Sequence, residues 1–108
     1  HHGFVRKKDV GAYLKKYQPM QLRDSRSTSV DETYPAMNFG YSKGLTFNRT
    51  IIYPTAPMKE WIFDHSSDLK AESRARLYVA VTRAQYSVAI IIDKLKSDVA
   101  GVVVWEPI

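Results

Sequence analysis

The chain has 108 residues, a formal net charge of +5, 44% hydrophobic and 25% charged residues, and no cysteine. This length fits one small domain and excludes a multidomain motor; the lack of cysteine excludes a disulfide framework or a thiolate metal site and is compatible with a cytoplasmic protein. The longest apolar runs fall far short of the ~20 residues that span a bilayer, and no signal-like segment is present.

His1 and His2 read as the remnant of a purification tag, which leaves residues 3–108 as a single domain excised from a longer protein. The charge excess lies entirely in residues 1–30, which hold seven Lys/Arg against two Asp, while residues 31–108 hold nine of each sign. Such a basic end attracts a polyanion, with nucleic acid the obvious candidate, or else it is a solvated surface.

In chain order, Phe4 to Lys8 predicts a short strand. Asp9 is placed to N-cap a helix whose stripe is Val10, Tyr13, Leu14 and Tyr17, and Pro19 ends it. Arg23 to Tyr34 is polar and aperiodic and predicts a poorly ordered loop. Ala36 to Phe39 predicts a strand, Tyr41 to Gly44 a turn, and Arg49 to Tyr53 a second strand with β-branched residues suited to a buried sheet. Beyond Pro54 and Pro57, Met58 to Phe63 predicts a short helix. Ser66-Ser67-Asp68 is expected to cap a longer helix over about Leu69 to Ala84, with strands over Tyr86 to Ile92 and Val102 to Trp105. Strands alternating with helices argue for α/β with a largely parallel sheet. Tyr78, Tyr86, Trp61 and Trp105 lie in apolar runs and are expected in the core rather than as stacking surfaces for bases. Trp61 also suits a surface normally covered by another domain. His65 alone cannot build a metal site, so no metal ligands are assigned.

The stretch Arg76-Leu77-Tyr78-Val79-Ala80-Val81-Thr82-Arg83-Ala84 carries the most chemistry. Leu77 to Val81 offers no polar face and is expected to be buried on nearly all sides, which makes a stiff base for Arg83. A guanidinium is always charged and its planar fork matches phosphate oxygens. The plain alternative is a solvated arginine favoured by the helix C-terminus. A second stretch is Asn38-Phe39-Gly40-Tyr41-Ser42-Lys43-Gly44-Leu45-Thr46-Phe47-Asn48-Arg49-Thr50-Ile51-Ile52. No Gly-x-x-x-x-Gly-Lys-Ser/Thr occurs, and Gly40 to Gly44 cannot make that cradle, because its glycines are too close and Lys43 precedes the second. The chain alone is therefore not expected to hydrolyse ATP.

Ser-Lys-Gly-Leu-x-Phe followed by a β-branched run, and then Leu-Tyr-Val-Ala-Val-Thr-Arg-Ala, resembles motifs V and VI of superfamily 1 helicases, most closely the C-terminal domain of the UvrD/Rep-like group. The likeness runs from about Ala36 to Ile92, and two spaced motifs in the right order are more specific than either alone. The resemblance implies a three-layer RecA-like (P-loop NTPase-like) half domain. In that motor a separate N-terminal domain holds ATP and Mg²⁺, and the second domain reaches across the cleft. It further implies that Arg83 is an arginine finger on the γ-phosphate. Gly44 brings backbone near the phosphates, and Thr46 stands where a glutamate usually contacts the ribose, which bears on nucleotide affinity or on base and sugar selection. Asn48 replaces a frequent aspartate. Gly40 replaces a histidine on the DNA side of motif V, leaving Tyr41, Ser42 and Lys43 as the candidates for single-stranded DNA, since hydroxyls and lysines position a phosphate backbone without reading sequence. For Gly44 the alternative is a simple turn glycine, and for Lys43 an ordinary surface lysine. The rival reading of the whole is a non-catalytic nucleic-acid-binding or interaction module that kept the fold and lost the motor, and a third is a purely structural domain in which Arg83 is buried in a salt bridge.

Overall fold

A computed structural model describes residues 2–64, 66–93 and 103–107. The elements are β1 (His2–Arg6), a 3-10 turn over Lys7–Asp9, α1 (Val10–Tyr17), β2 (Met20–Arg23), β3 (Ala36–Asn38), a 3-10 turn over Phe39–Ser42, β4 (Phe47–Tyr53), α2 (Ala56–Phe63), α3 (Ala71–Val81) and β5 (Ala84–Ile92). The five strands form one sheet in the order β1-β5-β4-β2-β3, and every pairing is parallel. Parallel neighbours require crossovers, and the crossovers coat both faces of the sheet, so the inner strands are apolar without alternation. Ile51 and Ile52 show this directly. Ile51 packs with Val5, Tyr13, Leu14, Ala89 and Ile91 beneath α1, whereas Ile52 packs with Leu22, Phe39, Met58, Leu77, Ala80 and Val88 beneath α2 and α3. The domain is thus three-layered α/β with an all-parallel sheet, the RecA-like arrangement expected from the sequence.

The local devices differ from the expected ones. Asp9 occupies the N-cap position of α1, but its side chain makes no capping hydrogen bond. Gln18 ends that helix in the left-handed conformation, at φ 49°, one residue before Pro19. Helix α3 starts at Ala71 behind Lys70, not behind Ser66 to Asp68, and ends at Val81. Ser66 instead bonds the Asp64 carboxylate through both its amide and its hydroxyl, closing a local turn. The final strand, expected over Val102 to Trp105, is a short parallel bridge of Val104 to Phe4, with Trp105 N–H donating to the Phe4 carbonyl at 2.8 Å; Val102 lies outside the described residues, as do His1 and His65. The backbone of His2, set aside with the tag, pairs with Val88 as the first residue of β1.

Strand β2 carries no sequence signal because Gln21 interrupts it, yet Gln21 is fully buried. Its amide is completely used. Nε2 donates to the carbonyls of Asp31 and Tyr34 at 2.7 and 3.3 Å, while Oε1 accepts from the Asp31 amide and from the Tyr53 hydroxyl. With Arg23 donating to Asn38 Oδ1 and to the Thr28 carbonyl, and Arg76 pairing with Asp24 at 2.8 Å, the polar stretch from Arg23 to Tyr34 is a pinned loop and not a loose one.

Burial also overturns two expectations. Trp61 packs against the α2/α3 core, and Trp105 lies edge-on to Tyr13 at 5.3 Å between ring centroids; Tyr78 and Tyr86, however, are 69% and 59% exposed. Within Leu77 to Val81 only Leu77 and Ala80 are buried, because the segment is helical and one apolar face cannot hide five consecutive side chains. The adjacent pair Leu77 and Tyr78 should therefore diverge in urea denaturation: Leu77→Ala loses about 2–5 kcal/mol of stability, and Tyr78→Ala loses under about 0.5 kcal/mol. Equal losses would contradict the helix phase.

Burial pushes the Tyr53 phenol up to about 12. An unfolded tyrosine releases its proton near pH ~10, so between those values the folded state binds more protons and stability falls as pH rises. Unfolding midpoints measured across that window should drop, and Tyr53→Phe should make the drop shallower.

Candidate functional site

Two segments far apart in sequence meet where β4 and β5 enter the sheet. The register places Phe47 opposite Ala84, and the Phe47 amide donates to the Arg83 carbonyl at 2.8 Å. A bulge between Phe47 and Arg49 follows. It turns Phe47 toward the α2/α3 core, while Arg49 lies over the Tyr17 ring at 4.7 Å on the α1 side.

The approach to β4 is fixed from inside. Phe39 is fully buried, and Ser42, equally buried, donates its hydroxyl to the Phe39 carbonyl at 2.7 Å. The Leu45 amide then closes on the Ser42 carbonyl at 2.9 Å. Ser42 therefore braces the turn, and its hydroxyl does not face solvent. Its neighbours do: Tyr41 is 77% exposed, and Lys43, Gly44, Leu45 and Thr46 are exposed as well. Gly44 has φ +83°, with nothing within 4 Å of an added Cβ. The glycine is required by its backbone conformation, and the space beside it is open.

Helix α3 delivers Arg83. The Thr82 amide reaches the Tyr78 and Val79 carbonyls, and the Arg83 amide reaches the Ala80 carbonyl at 3.2 Å. These short-range bonds tighten the last turn and throw the chain into β5. The Thr82 hydroxyl lies 2.9 Å from the Val79 carbonyl and 3.1 Å from that of Tyr78, and accepts from Arg83 Nη2 at 3.3 Å. Arg83 Nε is enclosed without a hydrogen-bond partner, and among the described residues Arg83 makes no ion pair. Among the described residues Arg83 is therefore not held in a salt bridge, unlike Arg6 and Arg76.

Of the residues singled out from the sequence, Gly44, Thr46 and Arg83 are brought to one end of the sheet, with Tyr41 and Lys43 on the turn leading into it. That turn packs against α3. The arrangement offers a guanidinium fork, an exposed hydroxyl and an open main-chain turn, all suited to an anion. Among the described residues no group of three or more His, Cys, Asp or Glu is placed to hold a metal ion. The exposed Tyr78 was missed because it sits in an apolar run; the four-residue spacing of Lys70, Arg74 and Tyr78 was the available signal. No protein-family model matches the chain, and no curated protein matches it either.

Because Gly44 needs its conformation and not its lack of bulk, Gly44→Ala should cost about 1–2 kcal/mol in denaturant unfolding, while Gly40→Ala, which has no positive φ, should be close to neutral. A neutral Gly44→Ala would remove the conformational argument.

Proposed function

We propose that this chain is the second RecA-like motor domain of a superfamily 1, UvrD/Rep-like DNA helicase, acting in the cytoplasm on single-stranded DNA. Arg83 serves as its arginine finger, and ATP with Mg²⁺, held by an N-terminal motor domain, supplies the phosphoryl group. The observation that carries this reading is the unneutralised Arg83, its Nε enclosed without an acceptor, tied through its carbonyl to the segment that presents Gly44 and Thr46. Leaving a buried donor unpaired costs about 1–3 kcal/mol. An anion arriving from across a cleft removes that cost.

On this reading the fork of Arg83 meets charge as it develops on the γ-phosphoryl oxygens, and the Thr82 hydroxyl and the rigid end of α3 hold it in line. Tyr41 and Lys43 form part of the DNA track, with Ser42 holding their turn in shape. No helix among the described residues is long and apolar enough to cross a membrane.

One observation favours the rival reading, a nucleic-acid-binding module without motor activity: Lys7, Lys8, Lys15 and Lys16 are all exposed around α1. The parent reading frame separates the two, since a phosphate loop upstream supports the helicase and its absence supports the module.

In the parent protein, Arg83→Ala should lower ATP turnover by about 100-fold or more, against the roughly 10³–10⁵ that arginine fingers supply, with nucleotide affinity much less affected because the interaction is made mainly in the transition state. Arg83→Lys should recover little, as it restores charge without the fork. Steady-state kinetics decide: turnover within about threefold of wild type, under about 1 kcal/mol, ends the assignment.

A further inference from the structure

Helix α3 and its two caps carry a line of side chains of which the fold uses only Thr82, through its hydroxyl. Lys70, Arg74, Tyr78 and Thr82 succeed one another at intervals of four, and each is exposed. Arg74 and Tyr78, four apart within α3, share one of its faces, and Lys70 at the N-cap and Thr82 at the C-cap extend that line toward Arg83. Ala71 and Ala75, also exposed, keep the surface next to it low.

None of the first three is explained by stability. Lys70 is the N-cap and makes no side-chain cap bond, and a cation there opposes the helix dipole. Arg74 and Lys70 make no ion pair among the described residues, while Arg76, on the other side of the helix, is paired with Asp24. Tyr78 is 69% exposed within a helix whose Leu77 and Ala80 fill the core. The exposed ring thus follows two cations along the same line, Lys70 and Arg74.

We infer that this stripe of α3 is a docking surface for single-stranded nucleic acid, with Lys70 and Arg74 set against the phosphate backbone and the Tyr78 ring stacked on a base. Charge complementarity selects the partner: the stripe holds two cations and no carboxylate, and Glu72, the acid of the first turn, is two residues from both Lys70 and Arg74 and so falls on the other side of the helix. A cationic track with an interleaved aromatic platform is the chemistry by which unpaired strands are held without sequence preference. The inference rests on the proposed helicase reading only for the class of partner. It involves no nucleotide and lies on a different element from Tyr41 and Lys43.

The test is fluorescence anisotropy of a labelled oligothymidylate with the full chain, without ATP, over a salt series. Tyr78→Ala should weaken binding by about tenfold with the salt slope unchanged, and Tyr78→Phe should remain near wild type. Lys70→Gln combined with Arg74→Gln should reduce the slope of log K against log salt by about 1.4, or about 0.7 for each phosphate that either cation neutralises. Circular dichroism confirms that each variant is folded. The proposal is overturned if wild type shows no binding at low salt, or if both sets of variants bind within twofold of wild type, which would assign the face to a protein partner. It is equally overturned if only the charge variants matter, or if Lys43→Ala abolishes binding that Tyr78→Ala leaves intact. The helicase reading fails separately, on Arg83 turnover and the parent phosphate loop, so either failure can be recognised without the other.

Discussion

The parallel pairing of β4 with β5 is the constraint on which the rest of the molecule depends. Two adjacent parallel strands cannot be joined by a tight turn. The chain must leave the far end of β4, cross the sheet and re-enter beside the start of β4, and α2 and α3 are that crossing. Its geometric consequence is that the entry to β5 lies against the entry to β4, so the Arg83 carbonyl meets the Phe47 amide. The site is a by-product of sheet connectivity. Neither segment needs to seek the other, and the precision with which they meet is that of a ladder hydrogen bond in a sheet buried on both faces.

Buried polar groups divide into two kinds, those with every partner made and those without. Gln21 is wholly enclosed, yet each of its amide atoms is bonded, so it fixes the loop from Asp31 to Tyr34 and the Tyr53 ring without penalty. A network satisfied in this way rigidifies. Arg83 Nε is enclosed and unbonded, and it sits where the chain presents its other anion-friendly groups. The Thr50 hydroxyl is also enclosed without a partner on β4, and nothing in the structure explains it; an orphan donor is therefore evidence for a site only in company with exposed, complementary neighbours.

The parts legible in the sequence were those governed by local apolar content. The runs Thr50-Ile51-Ile52 and Val88 to Ile92 are strands because both faces of the sheet are covered, and no alternation was needed to find them. Met20 to Arg23 escaped because a polar residue interrupts it, and the partners that make Gln21 burial tolerable come from Asp31, Tyr34 and Tyr53, which no local window contains. Tyr78 was misjudged for the opposite reason: its neighbours are apolar, but a helix exposes one face regardless of composition. Ser42 was expected at the DNA backbone because of its hydroxyl, whereas that hydroxyl is turned inward to the Phe39 carbonyl. For the candidate site, residue types were legible, since Gly44 and Arg83 follow from backbone and charge chemistry. Their proximity is a property of strand order, and only the family resemblance anticipated it.

The polar surface that remains is unequal in a way that bears on how such a domain works. Among the described residues three ion pairs serve the fold: Arg6 with Glu106, Lys59 with Asp93, Arg76 with Asp24. Exposed pairs of this type contribute little stability individually, but they neutralise one another and leave no net field. The cations along the α3 stripe and Arg83, which make no ion pair among the described residues, do leave one, concentrated on a helix edge and at the mouth of the sheet. One guanidinium and a turn of backbone cannot hold a nucleotide against the entropy of binding it, so a site of this composition gains affinity only when a second surface closes over it. On the proposed helicase reading, Arg83 meets charge delivered from such a second surface, and a polyanion lying along α3 would run toward that arginine.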